Sequence, residues 1–324
     1  MRDDVIKSLK TAGLLSDQKL DLGFVSTGSY ALNKICSGDY QKGIPIGMIT
    51  QFHGEASTAK TVFVTHILAN AQKQGYHTVL IDAENAYNSE FASTLGIDPN
   101  NLIYAAPHTL EDCFATMETL IREIREVDKE TPIVIGYDSI AVSPSKEEMT
   151  KTDYESHQMT GAMRAKVTGA CLRKINPLLR EFGVALVIVN QIRNKVGVMY
   201  GDPRTPAAGG KSLEYYLGLN FMTSAPKNER IQDDNKSVVG IRGKVANVKN
   251  KVTKPFQDAE FELLYDVGLT PHYGVLDLLV KDKIVERTGA WYQFGEEAKF
   301  QAKTFNEGFM TDDKFKTLRE KIGL

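Results

Sequence analysis

Gly54-Glu55-Ala56-Ser57-Thr58-Ala59-Lys60-Thr61 is the stretch that decides the fold. A short strand pattern, Met48-Ile49-Thr50-Gln51-Phe52, precedes it, and a helix pattern from Val62 to Gln74 follows. The phosphate-loop motif GxxxxGK[ST] is met at every defined position except one, where Ala59 stands in place of glycine. Between a strand and a helix, backbone N–H groups at the helix N-terminus cradle phosphates. Gly54 through Ala59 supply that cradle, Lys60 sets its charge on the β- and γ-phosphates, and the Thr61 hydroxyl holds Mg²⁺. The rival reading is a surface loop with a chance Lys-Thr pair, and the strand before and helix after weigh against it. Ala59 adds a Cβ, which costs about 1 kcal/mol or more if the loop needs φ > 0 there. Nucleotide binding is expected to survive, at some loss of rate.

Working outward, strands and helices alternate. Thr78-Val79-Leu80-Ile81 is an apolar strand, a helix covers about 110–128, and Ile133-Val134-Ile135 is the next strand. A helix over about 160–181 leads into the fully apolar strand Val184-Ala185-Leu186-Val187-Ile188-Val189. Apolar runs between helices indicate parallel strands buried on both faces, and right-handed crossovers give a doubly wound sheet. Past about 212 the pattern changes. Tyr215–Met222, Val238–Val252 and Glu260–Tyr265 look like consecutive strands with short turns, so antiparallel strands extend one side of the sheet. Residues 269–324 form a small α+β unit with a helix at about 274–283, a strand at 291–294 and a terminal helix at about 311–322. The first 22 residues read as an amphipathic helix through Val5, Leu9 and Leu14. The expected division is an N-terminal helical arm over 1–32, an α/β ATPase core over 33–268 and a small C-terminal domain over 269–324.

Length and composition set the limits. The chain has 324 residues, 42% hydrophobic and 25% charged, which is ordinary for a globular protein. There is no apolar run of 18 residues and no signal-peptide pattern at the start. Cys36, Cys113 and Cys171 are far apart and suggest neither a zinc site nor a disulfide framework, so a reducing, cytoplasmic setting is expected. The six histidines show no HxxxH or HExxH spacing. The formal net charge is -2, so any nucleic-acid binding must focus positive charge in one groove or loop.

Two more strands end in acids. Ile133-Val134-Ile135-Gly136-Tyr137-Asp138 suits a carboxylate that reaches Mg²⁺ at the strand's C-terminal end. Leu80-Ile81-Asp82-Ala83-Glu84 puts Glu84 near the γ-phosphate, where it would orient and activate the attacking water. On the residues alone, Asp82 or Glu84 capping the next helix is an equally good reading.

At this point the chain closely resembles the bacterial RecA family, from about Ser26 to about Gln293. Gly43-Ile44-Pro45-Ile46-Gly47, Ile81-Asp82-Ala83-Glu84-Asn85-Ala86 and Asp138-Ser139 carry part of the resemblance. The most specific segments are Asn190-Gln191-Ile192-Arg193-Asn194-Lys195-Val196-Gly197-Val198-Met199-Tyr200-Gly201 and Val248-Lys249-Asn250-Lys251, joined by Gly289-Ala290-Trp291-Tyr292. The resemblance implies ATP-driven filaments on single-stranded DNA, homology search in double-stranded DNA and strand exchange. It implies that Lys60 and Thr61 are the phosphate-loop pair, Asp138 the Mg²⁺-linked carboxylate and Glu84 the catalytic glutamate. Gln191 is then the γ-phosphate sensor. Lys249 and Lys251 reach across the filament interface to the neighbour's ATP, like an arginine finger in trans, and Tyr265 stacks on adenine. The chain departs from the family at Glu55, Ala56 and Ala59, and at Asn88 and Phe91 near the adenine. The N-terminal arm matches poorly and the acidic tail is missing, which marks a divergent member.

Residues 193–211 form a long connection with Arg193, Lys195, Arg204 and Lys211 against a single acid, Asp202. A loop this long inside a compact domain is functional or disordered. Its bases can neutralise phosphates while Val196, Val198 and Met199 wedge between nucleotides near Gly197, Gly209 and Gly210. A second loop near 150–166 offers Met163, Arg164 and Lys166, and Arg173 follows one helix later. Lys281, Lys283 and Arg287 are either a secondary face for duplex DNA or simply solvated. Trp291 and Tyr292 read as core of the C-terminal unit. Two rivals stand beside the recombinase. One is a hexameric helicase ATPase on the same kind of core, against which the Gln191–Gly201 segment argues. The other is an ATP-binding accessory protein for single-stranded DNA with little hydrolysis, which Ala56 and Ala59 keep open.

Overall fold

A computed structural model describes residues 4, 5, 8, 11, 22–150, 160–194, 204–296 and 298–324. Its centre is a sheet of eleven strands. Five strands run parallel: Leu102–Ala105 at the edge, then His77–Asp82, Ile133–Asp138, Val184–Asn194 and the phosphate-loop strand Ile49–Gly54. Leu217–Ser224 continues the sheet, parallel to Ile49–Gly54. The sequence places this strand in an antiparallel group, and the correction has a simple cause. The helix Gly210–Tyr216 intervenes as a crossover and returns the chain to the sheet's other end. The antiparallel extension begins one strand later, with Val238–Asn250, Asp258–Leu264 and Gly268–Leu269.

Apolar side chains of the buried strands alternate between two cores. Ala185, Val187 and Val189 join the core under the helix Lys60–Lys73, while Val184, Leu186 and Ile188 join the core under the helices Leu110–Val127 and Thr160–Glu181. Leu110–Val127 starts where Thr109 caps the Asp112 N–H, with Glu111 and Asp112 favouring the positive end of its dipole. Gly136 lets the phosphate-loop helix lie close on the sheet, because a Cβ there would meet Val64 Cγ1 at 2.5 Å. Arg125 is buried and donates to the carbonyls of Phe182, Asp128 and Thr131, so it ties the ends of two helices together.

The C-terminal residues build a three-stranded antiparallel sheet, Glu286–Thr288, Trp291–Phe294 and Ala298–Gln301, with the helices Ala302–Gly308 and Lys316–Lys321 packed on it. The sequence shows the Trp291–Phe294 strand, a terminal helix and the preceding helix Val275–Lys281, but not the other two strands or Ala302–Gly308. Phe300, Phe305, Phe309 and Phe315 stack into its centre. Tyr292 is buried there as expected, whereas Trp291 lies on the surface with Lys299 over its ring. Leu9 and Leu14 of the expected N-terminal helix lie outside the described residues, while Asp4, Val5, Ser8 and Thr11 are helical. Among the described residues no helix is long and apolar enough to cross a membrane.

Candidate nucleotide site and nucleic-acid face

The phosphate loop leaves its strand at Gly54, where a side chain has no room. A Cβ would meet the Thr223 Oγ1 at 2.3 Å and the Thr223 carbonyl at 2.5 Å. Thr58 Oγ1 donates to the Glu55 carbonyl at 2.8 Å and lies 2.7 Å from Thr223 Oγ1, so the loop is braced against the neighbouring strand. Ser57 and Ala59 both adopt positive φ, at 60° and 65°. Ala59 sits at the N-cap of Lys60–Lys73 without a side-chain cap, so the strain expected at this position is present. The Lys60 ammonium donates to the Glu55 carbonyl. Burial lowers its pKa, and the carboxylates of Asp138, Glu84 and Glu55 oppose that shift.

Thr61 and Asp138, 77 positions apart, meet at 2.6 Å, with the hydroxyl donating to Oδ2. Burial pushes the Asp138 carboxyl up to about 6; the Thr61 hydrogen bond works against this, and the charges of Glu84 and Asp82 add to it. A buried carboxylate facing two others is relieved by a cation. The pair offers only oxygen donors, which suits Mg²⁺ shared with phosphates and water. No cluster of three His, Cys, Asp or Glu among the described residues could hold a metal by itself. The donor set therefore suits a nucleotide-borne Mg²⁺, which Thr61 and Asp138 could hold.

The capping reading of Asp82 and Glu84 meets other partners in the structure. Asp82 Oδ2 accepts from the Tyr87 N–H at 2.9 Å and the Tyr104 hydroxyl at 3.1 Å, so Asp82 organises the loop. The helix Ser89–Thr94 is capped by Asn88. Glu84 caps nothing; its Oε1 accepts from the Ser139 hydroxyl at 2.6 Å. A cavity of about 90 Å³ opens beside Thr61 and Glu84, with Leu80, Tyr87, Asn88 and Phe91 in its wall. Tyr265 is exposed just before Gly268–Leu269, the strand whose Leu269 N–H donates to His66 of the phosphate-loop helix.

Gln191 lies opposite Gly54 in the parallel register and is exposed at that end of the sheet. Its carbonyl accepts from Ala207 N at 2.7 Å, where the chain returns from the long basic connection. Next to it runs a buried chain of amides that sequence reading missed. Asn220 Oδ1 accepts from Gln51 Nε2 at 2.8 Å, Gln51 Oε1 accepts from Asn190 Nδ2 at 3.0 Å, and Asn190 Oδ1 accepts from Ala208 N at 3.3 Å. Lys249 and Lys251 lie toward the other end of the sheet, and their ammonium groups donate to the Glu214 and Tyr215 carbonyls that end the helix Gly210–Tyr216.

The expected DNA segments converge. Gly209 caps Gly210–Tyr216 at φ 85°, and that helix packs against Thr160–Glu181, with Gly210 beside Ala165 and Gly169 beside Ser212. Arg173, Arg193 and Lys211 are exposed, and Met163 is half-buried. Arg164 is turned inward, with Nη2 donating to the Ile140 and Ala141 carbonyls. The exposed cation of that turn is Lys166. Lys195, Val196, Gly197, Val198 and Met199 lie outside the described residues. Arg204 belongs to the strand Arg204–Pro206, paired with Ile192–Asn194.

A family model described as the RecA N-terminal domain matches residues 8–270. The chain is 33% identical over 303 residues to Protein RecA of Chlorobaculum parvum, covering 92% of this chain and 82% of that protein. It is 32% identical over 314 residues to Protein RecA of Acidothermus cellulolyticus, covering 95% and 86%. It is 34% identical over 301 residues to Protein RecA of Chlorobaculum tepidum, covering 92% and 81%. The match takes in the phosphate loop, the Thr61–Asp138 pair and the strand that carries Gln191, and the chain belongs to the RecA family.

Proposed function

We propose that this protein is an ATP-dependent recombinase that forms helical filaments on single-stranded DNA and exchanges strands with duplex DNA. RecA proteins are DNA-dependent ATPases with that activity. One observation carries the reading for this chain. Gln191 stands opposite Gly54 of the phosphate loop, and its own carbonyl holds the return of the basic connection at Ala207. A group that feels the γ-phosphate therefore sits on the same strand end as the DNA segment.

In this mechanism Gly54 through Ala59 wrap the phosphates and Lys60 exchanges the Glu55 carbonyl for them. Thr61 and Asp138 hold Mg²⁺, which when bound neutralises charge on the transferring phosphoryl group. Glu84, its Oε1 held by the Ser139 hydroxyl, takes the proton of the attacking water on its other oxygen. Tyr265 stacks on the adenine. Lys249 and Lys251 lie too far from their own phosphate loop and serve the neighbour's nucleotide, so hydrolysis follows assembly. Single strands lie across Met163, Arg173, Arg193, Arg204, Gly209, Gly210 and Lys211, with Lys195 through Met199 completing the contact. Binding is then salt-sensitive and nearly independent of sequence. The division at 1–32, 33–268 and 269–324 and a cytoplasmic setting belong to the same reading.

A second reading, an accessory ATP-binding protein that barely hydrolyses, is favoured by the positive φ of Ala59 alone. ATPase assays with single-stranded DNA, beside electron microscopy with ATP, separate the two. The recombinase gives DNA-stimulated hydrolysis, open helical filaments and strand exchange, and Lys60→Ala removes all hydrolysis. Closed rings that unwind duplex would instead mark a helicase, and filaments without turnover an accessory protein.

A further inference from the structure

Arg164 stands on the helix that leaves the shorter basic loop, yet its side chain serves the catalytic strand. Its Nη2 donates to the Ile140 and Ala141 carbonyls at 2.8 and 2.6 Å. These carbonyls lie one and two residues beyond Ser139, whose hydroxyl donates to Glu84 Oε1 at 2.6 Å. The segment between has little slack. Ser139 and Ile140 are fully buried, Ile140 N donates to the Val189 carbonyl at 3.1 Å, and Ser143 Oγ donates to the Ser139 carbonyl at 3.3 Å. Tyr137 and Ser143 hydroxyls meet at 2.7 Å beneath it. Contacts therefore run without a break from the start of the helix Thr160–Glu181 through the Ile140–Ala141 backbone to Ser139 and the Glu84 carboxylate.

In this pose the guanidinium commits its Nη2 to the two carbonyls rather than to a DNA phosphate. Exposed cations for that task lie close by on the same helix, at Lys166 and Arg173. Packing of Gly210–Tyr216 against this helix links the return of the longer connection to it as well. The helix thus joins the basic segments and, through Arg164, grips the segment that follows the catalytic strand.

We propose that Arg164 and Ser139 are positioning residues that couple the DNA-side helix to Glu84, so that engaging a single strand sets the carboxylate for water activation. The inference rests on the reading of Glu84 as the catalytic carboxylate and of this helix as part of the DNA face.

The test compares wild type, Arg164→Ala, Arg164→Lys, Ser139→Ala and the Arg164→Ala/Ser139→Ala double variant. Two quantities are measured: kcat at saturating single-stranded DNA, and DNA affinity across a salt series. Arg164→Ala is expected to cut DNA-stimulated kcat by about ten- to a hundredfold, the scale of a misplaced catalytic group. DNA affinity and its salt slope should stay as in wild type. Ser139→Ala should give a similar loss, the double variant little more than either single one, and Arg164→Lys should recover most of the rate. A weakened affinity with a salt slope reduced by about one, at unchanged kcat, would make Arg164 a phosphate contact and overturn the proposal. Should Arg164→Ala not fold, the lysine and Ser139 variants decide alone, and an unaltered rate in Ser139→Ala sinks the coupling. Absence of DNA-stimulated hydrolysis in wild type would instead remove the recombinase reading itself.

Discussion

At one end of the parallel sheet, Asp82, Glu84 and Asp138 gather around one lysine, Lys60. Toward the other end, Lys249 and Lys251 project from the antiparallel flank and bond to main-chain carbonyls rather than to a carboxylate. The register fixes their separation: Gly54 lies opposite Thr223, whereas Lys249 lies opposite Asn220, which lies opposite Gln51. Lys249 is therefore three residues down and two strands across from Gly54, roughly 14 Å, and a lysine side chain spans less than half of that. In the proposed filament, an acid-rich end that could use more positive charge and a lysine end whose ammonium groups are held by main-chain carbonyls meet across a head-to-tail contact. Such a contact is heterologous and generates a ring or a helix. On the proposed reading each copy carries two half-sites, and a lone copy carries no complete one.

The sharpest way to break this comparison is to disable the ends in different molecules. Lys249→Ala/Lys251→Ala should lower DNA-stimulated hydrolysis by about 10³, the low end for a charge supplied in trans. Lys60→Ala should be inactive as well. Mixed in equal amounts, the two should regain roughly a quarter of wild-type turnover, since one neighbouring pair in four joins an intact acid end to an intact lysine end. A mixture as inactive as its parts would mean that the lysines do not serve a neighbour's site.

Gln51 lies between the two ends, and its amide is the middle link from Asn220 to Asn190 and Ala208. Gln51→Leu conserves volume but leaves the buried Asn220 Oδ1 unpaired and takes from Asn190 Nδ2 one of its two acceptors, the other being the Ala208 carbonyl. The expected cost is about 2–3 kcal/mol of unfolding free energy. Urea denaturation reads it as a lower midpoint at unchanged slope. An equal midpoint would mean that the amides are satisfied in another way.

How much of this was legible depends on the range of the interactions. The phosphate loop, the strands ending at Asp82 and Asp138, and the helices 110–127 and 160–181 were readable because each is a local pattern of period 2 or 3.6 with a punctuating residue. Helix capping by Asp82 or Glu84 stayed an open alternative, since the hydroxyls that engage the two carboxylates come from Tyr104 and Ser139, 22 and 55 positions away. Arg164 reads as a surface cation in sequence, because nothing local reveals that the Ile140 and Ala141 carbonyls need a donor. The amide chain was invisible for the same reason: Gln51 and Asn220 are polar positions in otherwise apolar strands, 169 residues apart.

A smaller effect tests the acid end through its flank. The His66 ring accepts the Leu269 N–H at 3.0 Å, so it must be neutral. Burial first and Lys73 second lower its pKa to about 4. The unfolded ring takes a proton below about 6.5, and the folded ring only near 4. Between those values the unfolded state holds more protons, so stability rises with pH through this window, is complete above it and is lost as pH falls. The shift corresponds to about 3 kcal/mol at full burial, and the partly exposed ring trims that to about 2 kcal/mol. His66→Gln keeps an acceptor without the titration and should flatten the pH profile of thermal unfolding between 4 and 6.5. A profile as steep as wild type would assign the dependence to other groups.

The smallest effect concerns Ala59, the one departure from the motif at a defined position. Its φ of 65° costs about 1–2 kcal/mol for a residue with a Cβ. Ala59→Gly removes that strain, but the freer unfolded chain takes back about 0.4–1 kcal/mol. Loss of a buried methyl takes back about 0.8 kcal/mol more. The terms nearly cancel, so Ala59→Gly should melt within about 2 °C of wild type, the shift that 1 kcal/mol produces in a large domain. Ala59→Val is the informative partner, because a β-branched residue has no comfortable place at positive φ. It should lose at least about 2 kcal/mol, or rebuild the loop and lose nucleotide binding, whereas the lysine end and its trans-complementation should stay intact in both variants. If Ala59→Val melts and binds ATP like wild type, the loop does not hold this φ in solution, and the acid end is less rigidly built than the lysine end.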